Sequence, residues 1–426
     1  MKILMCNSFL YLRGGAERYA LDLTDLLIAN GHEVIPFAME HERNFSSEYA
    51  PYFVSTIDFP SKLREKNGLA GKIQVLERVL YSHESKQKIA ALIERTQPDI
   101  AHVHGIAHEV SPSILDAIKE AGIPLIQTLH DYKLLCPNTS FVSQGQVCER
   151  CKGHKYYNVM LRRCKRDSLA ASVLAGIEMY THKLLQVYEK NVDVFLTPSR
   201  FLQEKVAEYG IPNKVMHVPN FVDVDRFQPC YENDGYFIYV GRLVNVKGIK
   251  TLFKAMRRVK TSHLYVIGEG EIDNELRQYA QQHGITNITF KGHLGTEELI
   301  PMIQRAAFMV VPSEWYENYP MSVLESLACG TPVIGAHIGG IPEIVHDGEN
   351  GLLFEPGNVE ELAERIQMLL DNPRQTITMG RTGRQQIEQI NHPQQHCTHI
   401  VNIYQSLLPR THTKPRISSI SSASQV

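Results

Sequence analysis

A chain of 426 residues is long enough for two or three domains. Its 43% apolar and 21% charged residues suit a globular protein with full cores, and a formal charge of −2 lacks the basic excess of a dedicated nucleic-acid binder. The opening MKILMCNSFL carries one Lys, a short apolar run and no small-residue cleavage site, so it reads as a first buried strand rather than a signal peptide. No run approaches the ~18 apolar residues of a membrane span. Eight cysteines without a leader fit a reducing compartment, which gives a cytoplasmic expectation, with the inner face of a membrane as a resting place.

Apolar strand-like runs then alternate with amphipathic helical stretches, the pattern of parallel sheets covered by helices. KILMC leads through Gly14 and Gly15 into a helix over residues 16–30, where Ala16, Ala20, Leu23 and Leu27 keep a helical period; Gly31 ends it and EVIPFA returns as a strand. Gly14 and Gly15 either let backbone N–H groups approach a phosphate at a helix start or form a plain turn. IAHVH, PLIQTL, VDVFLT and KVMHV continue the set. His130 ends PLIQTL and faces either a ligand hydroxyl or local hydrogen bonds; His102 and His104 are weaker candidates. A second set follows with YFIYV, LYVIG, NITF, FMVVP and PVIG, so the chain divides into residues 1–222 and 223–408 with a joint near 220–235. Residues 391–408 form a last helix, and 409–426 read as a polar, Ser-rich disordered tail.

The insertion over about 132–190 carries Cys136, Cys148, Cys151 and Cys164 as C-x11-C-x2-C-x12-C. One C-x2-C turn with two flanking thiols points to a structural zinc or to four free thiols. The same segment is basic, with Arg150, Lys152, Lys155, Arg162, Arg163, Lys165 and Arg166 and no acid among residues 150–166. With an amphipathic helix from Ser168 behind it, it fits an anionic lipid surface, a lipid-diphosphate acceptor, or a solvated basic face. Asp223 and Asp225 sit in a D-V-D run better suited to capping a turn than to binding a metal, and no metal is expected in the chemistry.

Chemistry concentrates in the second half. Arg242 and Lys247 follow YFIYV and supply a planar fork and a point charge for phosphate oxygens. The order is wrong for a nucleotide-triphosphatase loop, since Lys247 precedes Gly248, and no GxGxxG follows the first strand. In EWYENYPMSVLESLACGTPVIG, Glu317 falls in a tight loop and Glu325 about one turn inside the helix behind it, both facing one crevice. Carboxylates accept hydrogen bonds from vicinal hydroxyls, and helix-start N–H groups suit phosphate, so the pair fits a sugar nucleotide.

In order and spacing, YVGRLVNVKGIKTL, LYVIGEGEIDNELRQYA, ITFKGHL, MVVPSEWYENYPMSVLESLACGTPVIG and GGIPEIVHDGENGLLFEPGNVEELAERI resemble family 4 glycosyltransferases, as do RGGAERYALDL, DIAHVHG, LIQTLHD, FLTPSRFL and HVPNFVDVDRF, over residues 1 to about 370. The resemblance implies the GT-B fold, two Rossmann-like domains facing a cleft, and a retaining transfer of sugar from a nucleotide-diphosphate donor to a saccharide or lipid-linked saccharide, in cell-surface polysaccharide or glycoconjugate synthesis. It implies Arg242 and Lys247 on the donor diphosphate, Glu325 on the ribose, Glu317 near the reacting carbon, Gly14 and Gly15 over the diphosphate, and His130 on a donor or acceptor hydroxyl. A sugar-nucleotide epimerase on the same architecture and a non-catalytic sugar-nucleotide binder are the rival readings.

Overall fold

The computed structural model describes residues 1–57, 69–259 and 261–409. Two six-stranded parallel sheets organise it. The first holds β1 (Lys2–Cys6), β2 (Glu33–Phe37), β3 (Ile100–Val103), β4 (Leu125–Thr128), β7 (Val194–Thr197) and β8 (Lys214–His217) in the order β2-β1-β3-β4-β7-β8. The second holds β9 (Phe237–Val240), β10 (Leu264–Ile267), β11 (Ile288–Gly292), β12 (Met309–Val311), β13 (Val333–Ala336) and β14 (Gly351–Phe354) in the order β11-β10-β9-β12-β13-β14. The central strands β3, β4 and β13 are buried along their whole length, as continuous apolar runs covered on both faces should be.

Strand order decides where chemistry sits. It reverses between β1 and β3 in one sheet and between β9 and β12 in the other, and ligands of such sheets bind beyond the carboxyl ends of the strands at those switch points. The Gly14–Gly15 loop follows β1; Arg242 and Lys247 follow β9, and Glu317 follows β12.

The helices that frame the site are α1 (Gly15–Ala29), α2 (Leu69–Leu80), α3 (Tyr157–Leu161), α4 (Leu169–Leu184), α5 (Arg200–Glu208), α6 (Met321–Ala328) and α7 (Pro393–Leu407). In α1 the buried residues Tyr19, Ala20, Leu23 and Leu27 form the helical stripe that the sequence period predicts. The terminal helix α7 follows the second sheet in sequence but packs on the first: Cys397, Ile400, Ile403 and Tyr404 join Ile3, Met5, Tyr19 and Leu23 in one core, and Tyr404 Oη lies 2.6 Å from His102 Nδ1. The joint itself is a capped turn, with Asp223 Oδ1 accepting from the Asp225 and Arg226 amides at 3.0 Å each.

Two features exceed the sequence reading. The strand β14 lies outside the apolar runs read as strands, and the antiparallel hairpin of β5 (Val142–Ser143) and β6 (Gln146–Val147) inside the insertion has strands of two residues, too short for a period to show. The Ser-rich tail expected over 409–426 lies, beyond residue 409, outside the described residues.

Candidate active site

Lys247 ends a single 3-10 turn (Asn245–Lys247) that the chain can make because Gly248 takes φ +67°. A Cβ there would also stand 1.7 Å from the Pro312 carbonyl oxygen, so this turn lies directly on the end of β12. That contact aims the Lys247 ammonium at Glu317, with Nζ 2.7 Å from Oε1. The same oxygen accepts from Ser313 Oγ at 2.6 Å and Trp315 Nε1 at 2.8 Å, and Lys247 Nζ lies 5.4 Å from the centre of the Trp315 ring. Burial works to raise the Glu317 carboxyl, but the Lys247 charge and the three donated hydrogen bonds outweigh it and hold the group below its ordinary range. All three bonds fall on one oxygen. Among the described residues Oε2 makes no hydrogen bond, and is left for another donor.

Glu325 is buried on α6 in a different setting. Its cation is Arg18 of α1, from the other domain, with Nε 3.6 Å from Oε1, too long for a hydrogen bond. Burial therefore dominates and pushes the carboxyl up to about 7, with Arg18 pulling it down only in part. The neighbouring Asp22 on α1 is likewise pushed up by burial, to about 6. The crevice thus holds one carboxylate fixed as an anion and one poised near neutrality.

Arg242 is exposed beyond β9, and its guanidinium makes no ion pair among the described residues; its carbonyl accepts from Tyr239 Oη at 3.1 Å, which pins the backbone but leaves the side chain open to the cleft. Across the cleft, Gly14 is the N-cap of α1, and a Cβ on Gly15 would lie 3.5 Å from Met321 Cγ, so the glycine pair faces the first residue of α6.

His130 stands beside the same loop. Its flanks are tied to it: Asn318 Nδ2 donates to the Leu129 carbonyl at 3.0 Å and Tyr132 Oη to the Tyr316 carbonyl at 3.2 Å. Its ring lies 5.1 Å from that of Tyr19, and Nε2 is 2.9 Å from His104 Nδ1, whose Nε2 is 3.0 Å from Met5 Sδ. Burial lowers His130 to about 4 and His102 to about 3, so both are neutral at pH 7. His102 is spent on Thr128 and Tyr404, and His104 on Met5 and His130; His130 alone of the three keeps a nitrogen without a partner among the described residues.

Further inter-domain contacts hold this geometry. Glu343 accepts from the Arg200 and Phe201 amides at 2.8 and 2.7 Å, capping α5 from the opposite domain, and Ser199 Oγ donates to Asn318 Oδ1 at 2.7 Å. Tyr316 Oη donates to Glu149 of the insertion at 2.8 Å. Arg18, Glu343 and Glu149 escaped the sequence reading because each acts on a residue far away in the chain. RGGAER is the only local signal, and it places Arg18 on the same helix start as the glycines.

Cys136, Cys148, Cys151 and Cys164 line one small cavity. They form no disulfide, and among the described residues no group of three or more His, Cys, Asp or Glu side chains is arranged to hold a metal ion. Burial raises the Cys136 thiol despite backbone amides of Phe141, Asn138 and Ser140 directed at its sulfur. The insertion thus brings the four together without closing a tetrahedral shell.

Two sheets with their switch points facing a cleft, and a buried Glu317 paired with the half-buried Lys247 beside an exposed Arg, make up the architecture and site of a glycosyltransferase. The comparisons agree. Residues 13–226 match the Glycosyltransferase Family 4 model and residues 222–386 the model for glycosyl transferases group 1. The chain belongs to glycosyltransferase family 4 and has the GT-B fold. It is 30% identical to an uncharacterized glycosyltransferase of Methanocaldococcus jannaschii over 84% of this chain and 86% of that one. Identity to the glycogen synthase of Mycobacterium tuberculosis is 28% over 88% and 86%. A second uncharacterized glycosyltransferase of the archaeon is 29% identical over 196 residues, 46% of this chain and 54% of its own length. In structure the chain is similar to Anabaena HepE, solved in complex with UDP and glucose, with TM-score 0.68 at 18% identity over 96% of this chain and 100% of that one.

Proposed function

We propose that this enzyme transfers a sugar, with retention at the anomeric carbon, from a nucleotide-diphosphate donor to a hydroxyl of a saccharide or lipid-linked saccharide. The observation that carries the reading is the Lys247–Glu317 pair at 2.7 Å beside the exposed Arg242, at the switch point of the second sheet. As the bond from sugar to phosphate breaks, charge gathers on the diphosphate; fixed cations stabilise it most where water is excluded. Lys247 uses one of its three donors on Glu317 and keeps two for phosphate oxygens, while Arg242 adds its fork. The free Oε2 of Glu317 accepts from a sugar hydroxyl near the reacting carbon. Glu325, poorly partnered when unliganded, accepts from the ribose diol once Arg18 gives way. The reading assigns no covalent nucleophile. The acceptor oxygen bonds to the anomeric carbon on the face the phosphate leaves, and its proton passes to the departing phosphate. His130, neutral, orients a hydroxyl through its open nitrogen.

The structural neighbour solved in complex with UDP and glucose makes uridine donors the first to assay. Hydrolysis of a panel of sugar nucleotides without acceptor tests the reading. Turnover of one donor, lost in Arg242→Ala, is expected; conversion of a sugar nucleotide into an epimer with no hydrolysis would transfer the assignment to the rival class.

For the cysteine cavity we propose one structural zinc that draws the four thiolates together. The shared cavity, the C-x2-C turn and the three amides aimed at the Cys136 sulfur support it, since amides stabilise a thiolate.

A further inference from the structure

The insertion carries an apolar surface that no other described residue of the chain covers. On α4 the outward positions Leu169, Val173, Ile177, Tyr180 and Leu184 recur every three or four residues, a stripe along one side of the helix. Leu184 is 84% exposed and Leu161, at the end of α3, 75%. Both α3 and α2 pack against α4, and α2 adds the exposed Ile73 and Leu76, three residues apart. Among the described residues fifteen large hydrophobic side chains are exposed, and nine of them lie on these three helices or at Leu185 just after α4. Such concentration is not the scatter of single apolar residues normal on a surface.

The opposite face of α4 is the reverse. Glu178 is fully buried and receives Lys133 Nζ at 2.7 Å and His108 Nε2 at 3.1 Å, while His182 lies 2.9 Å through Nε2 from the Leu80 carbonyl. Lys133 is three residues after His130. The helix is therefore bolted to the acceptor side of the cleft by its polar face and presents its apolar one outward.

Charge selects the occupant. Arg150, Lys155, Arg163 and Arg166 are exposed and sit in no ion pair among the described residues. From residue 150 to residue 177 the only acid is Asp167. An apolar stripe bordered by free cations suits the interface of an anionic bilayer, where the stripe enters the acyl boundary and the cations meet head groups. A second copy of the chain would bring the same cations against each other. No described helix is long and apolar enough to cross a membrane, so contact would be with one leaflet.

We propose that α2, α3 and α4 form a docking surface for an anionic lipid bilayer, which holds the acceptor side of the cleft against the membrane. The inference is independent of the donor assignment, because docking requires neither nucleotide nor turnover.

Flotation of the full chain with vesicles of phosphatidylcholine alone, or mixed in equal parts with phosphatidylglycerol, tests it. The expected result is binding to the mixed vesicles only, weakened by salt. Arg163→Glu with Arg166→Glu should lower partitioning at least about twentyfold, given what a basic residue contributes at an anionic surface. Ile177→Ser with Leu184→Ser should lower it at least about tenfold, as their apolar area no longer enters the lipid. Thermal midpoints within a few degrees of the parent show that these exposed changes left the fold intact. No binding of the parent to mixed vesicles at low salt, or equal binding by folded variants, overturns the proposal. So does a concentration-dependent dimer in light scattering that Ile177→Ser with Leu184→Ser abolishes and that binds no lipid.

Discussion

Glu317 and Glu325 are buried carboxylates eight residues apart, yet their surroundings drive them in opposite directions. Glu317 sits in a loop of the second domain, where Lys247, Ser313 and Trp315 all come from nearby elements and converge on one oxygen. Glu325 sits inside α6, and the cation paired with it, Arg18, reaches across from the first domain at 3.6 Å, with Arg226 a weaker, more distant influence. Burial is common to both; what separates them is whether donors were built within the same domain. The first carboxylate is preorganised as an anion. The second has no hydrogen-bond donor within reach among the described residues. Sign follows from this: its raised pKa favours the native state at low pH, and that contribution is lost as pH rises from 4.5 through about 7.

The contrast breaks most visibly at the cations. Arg242→Ala should lower turnover by about a hundredfold or more, the range for losing a donor to developing charge. It is cleaner than Lys247→Ala, because Arg242 is exposed and unpaired among the described residues, while removing Lys247 leaves Glu317 buried without its counter-ion. Steady-state transfer rates, with the thermal midpoint read alongside, separate the two causes. Transfer by the parent should need no added magnesium or manganese; strict dependence on either would take the diphosphate role from Arg242 and Lys247.

Glu317→Gln should slow transfer by roughly tenfold or more while leaving sugar-nucleotide affinity within a few-fold, since the loss falls on the reacting sugar. Single-turnover kinetics distinguish this from a binding defect. A smaller effect belongs to Arg18→Ala: with its cation gone the Glu325 carboxyl rises further, so affinity should fall a few-fold near neutral pH and recover at high pH. The cysteines should matter least to the donor. If they hold zinc, elemental analysis of protein made under reducing conditions finds about one per chain, and stripping it impairs acceptor use without altering nucleotide affinity. Absence of zinc would make them ordinary thiols.

Local chemistry was legible in the sequence. The strands announced themselves as apolar runs; the loop placing Glu317 and the helix carrying Glu325 were written in Asn318–Pro320 and Gly330, and the D-V-D turn caps as its residue types suggest. What stayed hidden was everything that needs the tertiary path. Arg18 meets Glu325 only because α1 abuts α6. Tyr404 belongs to the first core only because α7 crosses back. Gly340 must be glycine because a Cβ would stand 1.8 Å from the Asn318 carbonyl oxygen, a neighbour twenty-two residues earlier. No propensity or period encodes such contacts.

The crevice between Glu317 and Glu325 as the seat of a sugar nucleotide is tested most directly by calorimetric titration across pH, with a donor whose diphosphate has no oxygen titrating near 7. Diol hydroxyls favour the ionised carboxyl, so binding should expel a proton and affinity should climb between pH of about 6 and about 8. Glu325→Gln should bind on the order of tenfold more weakly at high pH, the loss expected for hydrogen bonds to a charged acceptor, with the pH dependence gone. Unchanged affinity and an unchanged pH profile in that variant would contradict the account.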